Sequence, residues 1–542
     1  MLSLLIFLPM IGGILSWLVS IFFARRSNNL ILTDEQTANL TKTNSFIQWL
    51  KERWFCSGVQ WIAIITMVIE LMIILCYWHE CLQAFYSNSV WQKDLNIEWI
   101  PFLGIRFHLM LDGLSIIMVL LSVFLTLMVI VYSGKEKHAN IGLYYLCLLW
   151  CASGVIGLLI AVDLFLFFLF WEMIAIPLYF LIVLWGRRDS NAQLRFNGAS
   201  KFLIFTQLSS LLMLISVISL ALMNLSLSKN WTFDYFVLTN TPISSSAEFL
   251  LMLGFFFAFI VRMPLLPFHG WFIDAHIESS TTGSMMISGL LTNTAIYGLL
   301  RFVIPMFPNA SIAFAPVVMG IALCSLFYFA LLAFTQTDIK KLIAYVHVAL
   351  MSFLTAMIYM GNILTYQGII IQLIAISLTI TGLFMVSGLL TERYLTRNIK
   401  QFIGLRGVVN YLPAFTVFFV LAIFGIPGTA NFVGNLMLLF GSYTKYAMMS
   451  VLFAFGLLLV SIALLIRMQP IFYGLTTSKT VKISVIYKAL AKQDIAMLML
   501  LVLILVAIGV YPQMILDTSY PIINKIQYYL EGSQMIMIKE GA

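Results

Sequence analysis

Apolar runs long enough to cross a lipid bilayer recur along the whole chain. One of them, LFLFFLFWEMIAIPLYFLIVLW at residues 164–185, contains a single charged residue, Glu172. A helix needs about 20 apolar residues to span the hydrocarbon core of a membrane. Of the 542 residues, 62% are hydrophobic and only 10% are charged, whereas about a quarter of a soluble domain is charged. The sequence therefore predicts an all-α polytopic membrane protein.

The apolar runs predict about fourteen transmembrane helices in a single membrane domain over residues 1–542. The first run, MLSLLIFLPMIGG, lacks a basic n-region and a small-residue cleavage site, so we interpret it as a retained helix. A long first cytoplasmic loop, 24–57, ends in an amphipathic stretch that we expect at the membrane surface or against a partner. We expect helices 1–3 at residues 1–140, a first repeat at 141–306, a second repeat at 313–470, and a C-terminal helix with its tail at 471–542.

Proline and glycine interrupt two of the predicted helices, the seventh and the twelfth. The seventh reads FIVRMPLLPFHGW, with Pro264 and Pro267, and the twelfth reads FGIPGTANFVGN, with Pro427 and Gly428. Broken helices at membrane depth are tolerated only where protein or water covers them. A pair of breaks in corresponding halves is typical of inverted-repeat transport folds. We therefore expect two inverted five-helix repeats, helices 4–8 and 9–13.

Most of the 30 Lys and Arg residues lie in alternate loops, among them 187–201 and 391–410. Because Lys and Arg collect in cytoplasmic loops, this pattern predicts that these loops are inside and that both termini are outside. In a bacterium the protein would be a multi-pass protein of the inner membrane with periplasmic termini. The net charge of +8 follows from the same loops and does not indicate nucleic acid as a partner.

Motifs that hold a metal or a cofactor are missing from the sequence. The six cysteines include no Cys-x-x-Cys pair and form no Cys/His cluster with metal spacing. A phosphate-binding loop, a dinucleotide fingerprint and a nucleophile elbow are also missing. We therefore expect no cofactor, and no redox or hydrolytic chemistry within this chain.

Glu172 and Arg262 are charged residues within predicted spans. A charge at the centre of a bilayer costs about 3 kcal/mol or more, so such residues usually serve a function. Glu172 could bridge helices as a neutral acid or could carry protons or ions. Arg262 could instead extend to a helix end as a snorkelling side chain. An ion pair between Glu172 and Arg262 would explain both charges, and we expect one.

Further candidates for a proton path are His269, His276, His347 and Lys341. His269 and His276 lie in HGWFIDAHIESSTTGS, where their spacing gives only a weak metal signal and a water-lined re-entry is favoured. His347, in LIAYVHVALMSF, fits a hydrogen-bonded core histidine and a proton carrier equally well. Lys341, in QTDIKKLIAY, is most simply an interfacial anchor and remains a further candidate.

Several long motifs occur in one order along the chain: DGLS (112–115), FFLFWEMIAIPLYFLI (167–182), RMPLLPFHGWFIDAH (262–276), FTQTDIKKLIAY (334–345) and GIPGTANFVGNLMLLFGS (425–442). They resemble the subunit M (chain 4) family of proton-translocating NADH–quinone oxidoreductase, or respiratory complex I, one of the antiporter-like membrane subunits. The resemblance implies fourteen helices, inverted repeats and a row of protonatable residues at mid-membrane. In that row Glu172 matches the glutamate of the fifth helix, and Arg262 stands where the family has a lysine.

The sequence departs from the family at four positions that normally titrate. A lysine of helix eight, a histidine of helix ten, a histidine of helix eleven and a glutamate of helix twelve are replaced by Asn293, Leu350, Ile376 and Asn435. None of the replacements changes its protonation in the useful range. His347 precedes Leu350 by three residues and shares its helix face, so it is placed to replace the lost histidine in part.

The sequence favours a membrane subunit of a complex I type machine that contributes a proton path coupled to electron transfer in other subunits. The implied partners are other membrane subunits, lipid, and protons or another small ion. Two alternatives stay open. One is a subunit of a cation/proton antiporter or an inorganic-carbon (bicarbonate) uptake complex, and the other is a structural paralogue that does not pump.

Overall fold

The computed structural model describes residues 2–31, 43–87, 92–136, 138–187, 190–402, 404–405, 411–474 and 490–540. Within these ranges, thirteen helices are long and apolar enough to cross a membrane. The helices are α1 (Leu2–Ile31), α2 (Thr43–Tyr86), α3 (Gly113–Ser133), α4 (Ile141–Ile160), α5 (Leu164–Trp185), α6 (Ala192–Ser228), α7 (Tyr235–Thr239), α8 (Ser245–Arg262), α9 (Gly270–Glu278), α10 (Thr281–Met306), α11 (Pro308–Thr335), α12 (Ile339–Met360), α13 (Ile363–Tyr394), α14 (Leu412–Phe424), α15 (Ala430–Tyr473), α16 (Lys492–Val510) and α17 (Gln513–Glu540).

Helix α15 contains two membrane crossings. It has 44 residues, and its backbone leaves the helical conformation at Tyr446 (φ −135°, ψ 62°). At about 1.5 Å per residue, 44 residues are roughly 66 Å long, about twice the thickness of the hydrocarbon core. Counting the two parts of α15 separately confirms the predicted fold of about fourteen spans, in which α14 and the first part of α15 form the broken twelfth helix.

Both helix breaks lie where the sequence predicts them. Helix α8 ends at Arg262 and α9 begins at Gly270, because Pro264 and Pro267 fall between them. At the second break, Gly425 and Gly428 have φ angles of +84° and +92°. Side chains other than glycine rarely adopt this left-handed conformation, so the chain can turn here between α14 and α15.

The most buried spans, α10, α12 and α13, form the centre of the molecule. The most apolar windows of α10 and α13 are completely buried, and that of α12 is 94% buried. Helix α10 is also irregular, because Ile287–Leu291 and Leu299–Val303 form π-helical turns. Such turns are rare and are found frequently at functional sites.

A β-hairpin precedes α3, in a segment that the sequence analysis treats only as a polar excursion. Strand β1 (Lys93–Ile100) pairs antiparallel with β2 (Ile105–Leu111). On β2, the two ring nitrogens of His108 lie 2.5 Å from Asp234 Oδ2 and 2.8 Å from Asp94 Oδ1. These contacts attach the hairpin to the segment before α7. We call this side of the molecule the hairpin face.

The opposite side, which we call the basic face, carries the described loop residues 134–136, 138–140, 186–187, 190–191 and 336–338. The predicted first loop is shorter than expected, because α1 continues to Ile31 and α2 already begins at Thr43. Residues 32–42 of that loop lie outside the described residues. At the basic face, α1 and α2 therefore continue as helices beyond the apolar runs that predict them.

Candidate functional site

Arg262 is buried at the end of α8, directly before the first break. Only 1% of the residue is exposed. Its guanidinium carbon lies 3.4 Å from the centre of the Trp171 ring, and Nη2 donates to the Trp171 carbonyl oxygen at 3.0 Å. Within the described residues, Nε and Nη1 have no hydrogen-bond partner. A cation on a desolvated indole ring is stabilised by about 2 kcal/mol or more, which makes Trp171 the main partner of Arg262.

The expected ion pair between Glu172 and Arg262 is wrong as a direct contact. No ion pair within 4.0 Å joins them in the part of the chain that the structure describes. Glu172 is half-buried, and its carboxylate instead accepts a hydrogen bond from the Gln207 side chain on α6. Successive helix positions differ by about 100°, so the guanidinium that stacks on Trp171 does not reach the next side chain. The negative charge of Glu172 nevertheless acts favourably on Arg262.

His276 and His347 are brought together beside the break. Both are completely buried, and within the described residues neither ring nitrogen of either side chain has a hydrogen-bond partner. The Phe272 ring contacts both, with its centre 4.4 Å from the His276 ring and 5.6 Å from the His347 ring. Buried polar atoms normally have a protein or water partner, so these four nitrogens are places where water can bind.

Lys340 belongs to the buried site, whereas Lys341 does not. Only 1% of Lys340 is exposed, and its Nζ donates to the Ser279 carbonyl oxygen at 3.0 Å and to Ser284 Oγ at 3.2 Å. Lys341 is half-buried, and its backbone N–H donates to the capping side chain of Asp338. The sequence contains a signal that Lys340, and not Lys341, is the buried lysine. Residues seven apart lie on the same face of a helix, which pairs Lys340 with His347.

His269 lies apart from the other two histidines. It precedes α9, is half-buried, and packs edge-on against Tyr328 and Phe329 of α11 at ring-centre distances of 5.8 and 5.0 Å. The structure therefore places His269 on the outer side of the break and not between Lys340 and Arg262.

Neutral side chains stand at the four positions where the resemblance implies titratable groups. Asn293, just after the first π turn of α10, donates to Ser377 Oγ on α13 at 2.8 Å, and the serine hydroxyl lies 3.2 Å from Asn293 Oδ1. Leu350 and Ile376 are buried apolar residues. Asn435 has an Oδ1 atom without a partner among the described residues. Helices α10 and α13 are thus joined by an amide–hydroxyl pair.

The order and the breaks of these helices match a known family. The family model described as "NADH:quinone oxidoreductase/Mrp antiporter, TM" matches residues 161–460, more than half of the chain. The chain belongs to this antiporter-like family. It is 44% identical to NADH-quinone oxidoreductase subunit M of Escherichia coli (strain K12) over 494 residues, which are 90% of this chain and 96% of that protein.

Solved structures have the same antiporter-like fold. A chain of respiratory complex I from Thermus thermophilus superposes with a TM-score of 0.79 and 24% identity, covering 98% of this chain and all of that one. A chain of the Mrp complex from Dietzia sp. gives a TM-score of 0.74 and 16% identity over 99% of this chain and 55% of its own length. The resemblance to subunit M of complex I is confirmed, and the chain is a multi-pass protein of the bacterial inner membrane.

Proposed function

We propose that this antiporter-like chain is the M subunit of a proton-translocating NADH–quinone oxidoreductase and that it moves protons along buried side chains beside its first helix break. Electron transfer takes place in other subunits. In this proposal the basic face is cytoplasmic, both termini are periplasmic, and residues 141–306 and 313–470 form the two inverted repeats. The charge bias of the loops and the similarity to subunit M support this assignment.

The observation that carries the proposal is a row of buried ionisable side chains leading from the basic face to the first break. Lys340 and His347 lie on one face of α12, two turns or about 10.5 Å apart along the axis. His276 of α9 and His347 both contact the Phe272 ring. The row continues to Arg262 and Glu172, next to the break. Lys340, Arg262 and both histidines are buried.

Each member of the row has a different task in the transfer. A neutral imidazole accepts a proton on one nitrogen and releases one from the other, so His276 and His347 can pass protons with bridging water. Arg262 stays protonated and does not carry the proton itself. Glu172 lies next to this fixed charge and is, in this proposal, the group to which the histidines pass the proton. The break at residues 263–269 gives this exchange an irregular backbone that water can reach.

A variant of His347 tests this function. The assembled oxidoreductase is reconstituted in vesicles, NADH-driven acidification is followed with a pH-sensitive dye, and quinone reduction is measured separately with an uncoupler. We expect His347→Leu to slow acidification by about tenfold or more, because a positioned proton carrier is lost. His269→Gln is the matched control and should acidify normally. Normal acidification by an assembled His347→Leu complex would contradict the proposed path.

A structural subunit that does not pump is the second candidate. The observation that favours it is the Asn293–Ser377 pair, which holds α10 to α13 without a titrating group. For this candidate, His347→Leu and Glu172→Gln would both leave the number of protons moved per electron unchanged in assembled complexes.

A further inference from the structure

Two ionisable side chains of the loop between α3 and α4 are buried at the basic face. The side chains of Glu136 and His138 are only 10% and 3% exposed, although both residues lie in a loop between α3 and α4. His138 Nε2 lies 3.5 Å from Glu136 Oε2. A buried carboxylate and a buried imidazole in contact form a pair that can exchange a proton.

Two hydroxyl groups close this pair into a ring of contacts, which we call the loop cluster. The Tyr144 hydroxyl donates to Thr282 Oγ1 at 2.8 Å, and the Thr282 hydroxyl donates to Glu136 Oε2 at 2.9 Å. The His138 ring is stacked on the Tyr144 ring, with centres 3.7 Å apart and planes inclined by 16°. An aromatic face also attracts the protonated form of an imidazole. The loop cluster therefore consists of Glu136, His138, Tyr144 and Thr282.

The loop cluster lies next to the first member of the buried row. Thr282 is two residues before Ser284, which accepts a hydrogen bond from Lys340. The hydroxyls of Ser279 and Ser284 are 2.7 Å apart, and those of Ser280 and Thr282 are 2.9 Å apart. Two hydroxyl pairs at the start of α10 are thus close together: Ser280–Thr282 adjoins the loop cluster, and Ser279–Ser284 adjoins the ammonium group of Lys340.

The surroundings of Glu136 favour a carboxyl group that takes up protons. The titratable groups that face it are Lys340 on α12, Glu392 on α13, Tyr132 on α3, Tyr144 on α4 and His138 in its own loop. Burial raises the pKa of Glu136, while the hydrogen bond from Thr282 and the charge of Lys340 act in the opposite direction. Glu136 is therefore protonated more readily than an exposed glutamate.

We propose that the loop cluster is the proton-collecting site of this chain, with Glu136 as the group that takes protons from water at the basic face. This inference rests on the proposed function. His138 is a positioning residue, whose imidazole lies between the carboxylate and the Tyr144 ring. Once Lys340 has passed its own proton on toward His347, the carboxylic acid releases its proton to the resulting neutral amine through the hydroxyl pairs of residues 279–284 and bridging water. This transfer moves one proton and regenerates the carboxylate of Glu136 and the ammonium group of Lys340.

Two variants of Glu136 test the proposal in the reconstituted oxidoreductase. Glu136→Gln keeps an oxygen that accepts from Thr282 but cannot take up a proton, so we expect acidification to fall by about tenfold or more. Glu136→Ala should show the same loss, and sodium formate added at the basic face should restore most of the rate, because a small acid can carry the missing proton. Rescue of this kind is not expected if Glu136 only holds the loop in place.

A control variant separates a general loss from proton collection. Glu278→Gln changes another buried carboxylate of the same face, which accepts a hydrogen bond from Ser190, and should acidify normally. Equal losses in Glu136→Gln and Glu278→Gln, or a Glu136→Ala complex that formate does not rescue, would overturn the proposal. A normal Glu136→Gln complex beside a defective His347→Leu complex would overturn it while leaving the proposed function intact.

Discussion

The stack of Arg262 on Trp171 can be tested with a double-mutant cycle. Trp171→Leu removes the indole ring but keeps the backbone carbonyl that accepts from Nη2, and Arg262→Met removes the charge while keeping an unbranched side chain. At 3.4 Å from the ring centre, in a desolvated site, the cation–π contact should contribute about 2 kcal/mol. Since about 1.4 kcal/mol corresponds to a factor of ten, the two changes should couple by about 30-fold in the rate of thermal inactivation.

The assay is the loss of NADH–quinone reductase activity of the purified complex at a fixed elevated temperature, because large membrane complexes unfold irreversibly and are compared by rates. The same cycle with Glu172→Gln and Arg262→Met is the control. It should give a smaller coupling, because Glu172 bonds Gln207 and has no ion pair with Arg262 in the described residues. Breaking a buried ion pair costs roughly 3–5 kcal/mol. A coupling of that size between Glu172 and Arg262, with no coupling between Trp171 and Arg262, would refute this description of the site.

Three further predictions concern the two faces of the molecule. Burial lowers the pKa of His108, but its two carboxylate partners raise it above the ordinary 6.5. The contacts of His108 should therefore stabilise the hairpin most below pH about 6.5, and this stabilisation should be lost as pH rises through the raised pKa. The amide hydrogen exchange of the hairpin, corrected for intrinsic rates, should increase over this range. An equal increase in a His108→Gln protein would contradict this prediction. Cysteines introduced at Asn191 and Ser244 should react with membrane-impermeant reagents from opposite sides, and labelling from one side would overturn the proposed orientation. Lys340→Gln should slow acidification by about tenfold or more while Lys341→Gln leaves it normal, and equal effects would remove Lys340 from the path.

The membrane architecture could be predicted because its physical signals are local in sequence. About 20 apolar residues define a span, and proline or glycine within a span defines a break. These signals located the breaks after Arg262 and after Phe424 correctly. The hairpin Lys93–Leu111 was missed because a polar segment was considered only as a connection, although KDLNIEWI alternates in polarity over part of its length.

The site was harder to predict because its contacts depend on side-chain direction and on distant segments. The two residues Trp171 and Glu172 are adjacent, and the sequence does not show which of them Arg262 meets. Lys340 and Lys341 are also adjacent, and only the helical face shared with His347 distinguishes them. Glu136 resembles any loop carboxylate until the fold brings Thr282, 146 positions away, into contact with it.

In the proposed function, protons pass by side-chain titration beside the first helix break and not beside the second, near Asn435. The most direct test is the number of protons moved per electron by assembled complexes that carry either Glu172→Gln or Asn435→Leu. We predict a clear decrease for Glu172→Gln and an unchanged ratio for Asn435→Leu. An unchanged ratio for Glu172→Gln, together with a decrease for Asn435→Leu, would contradict the claim.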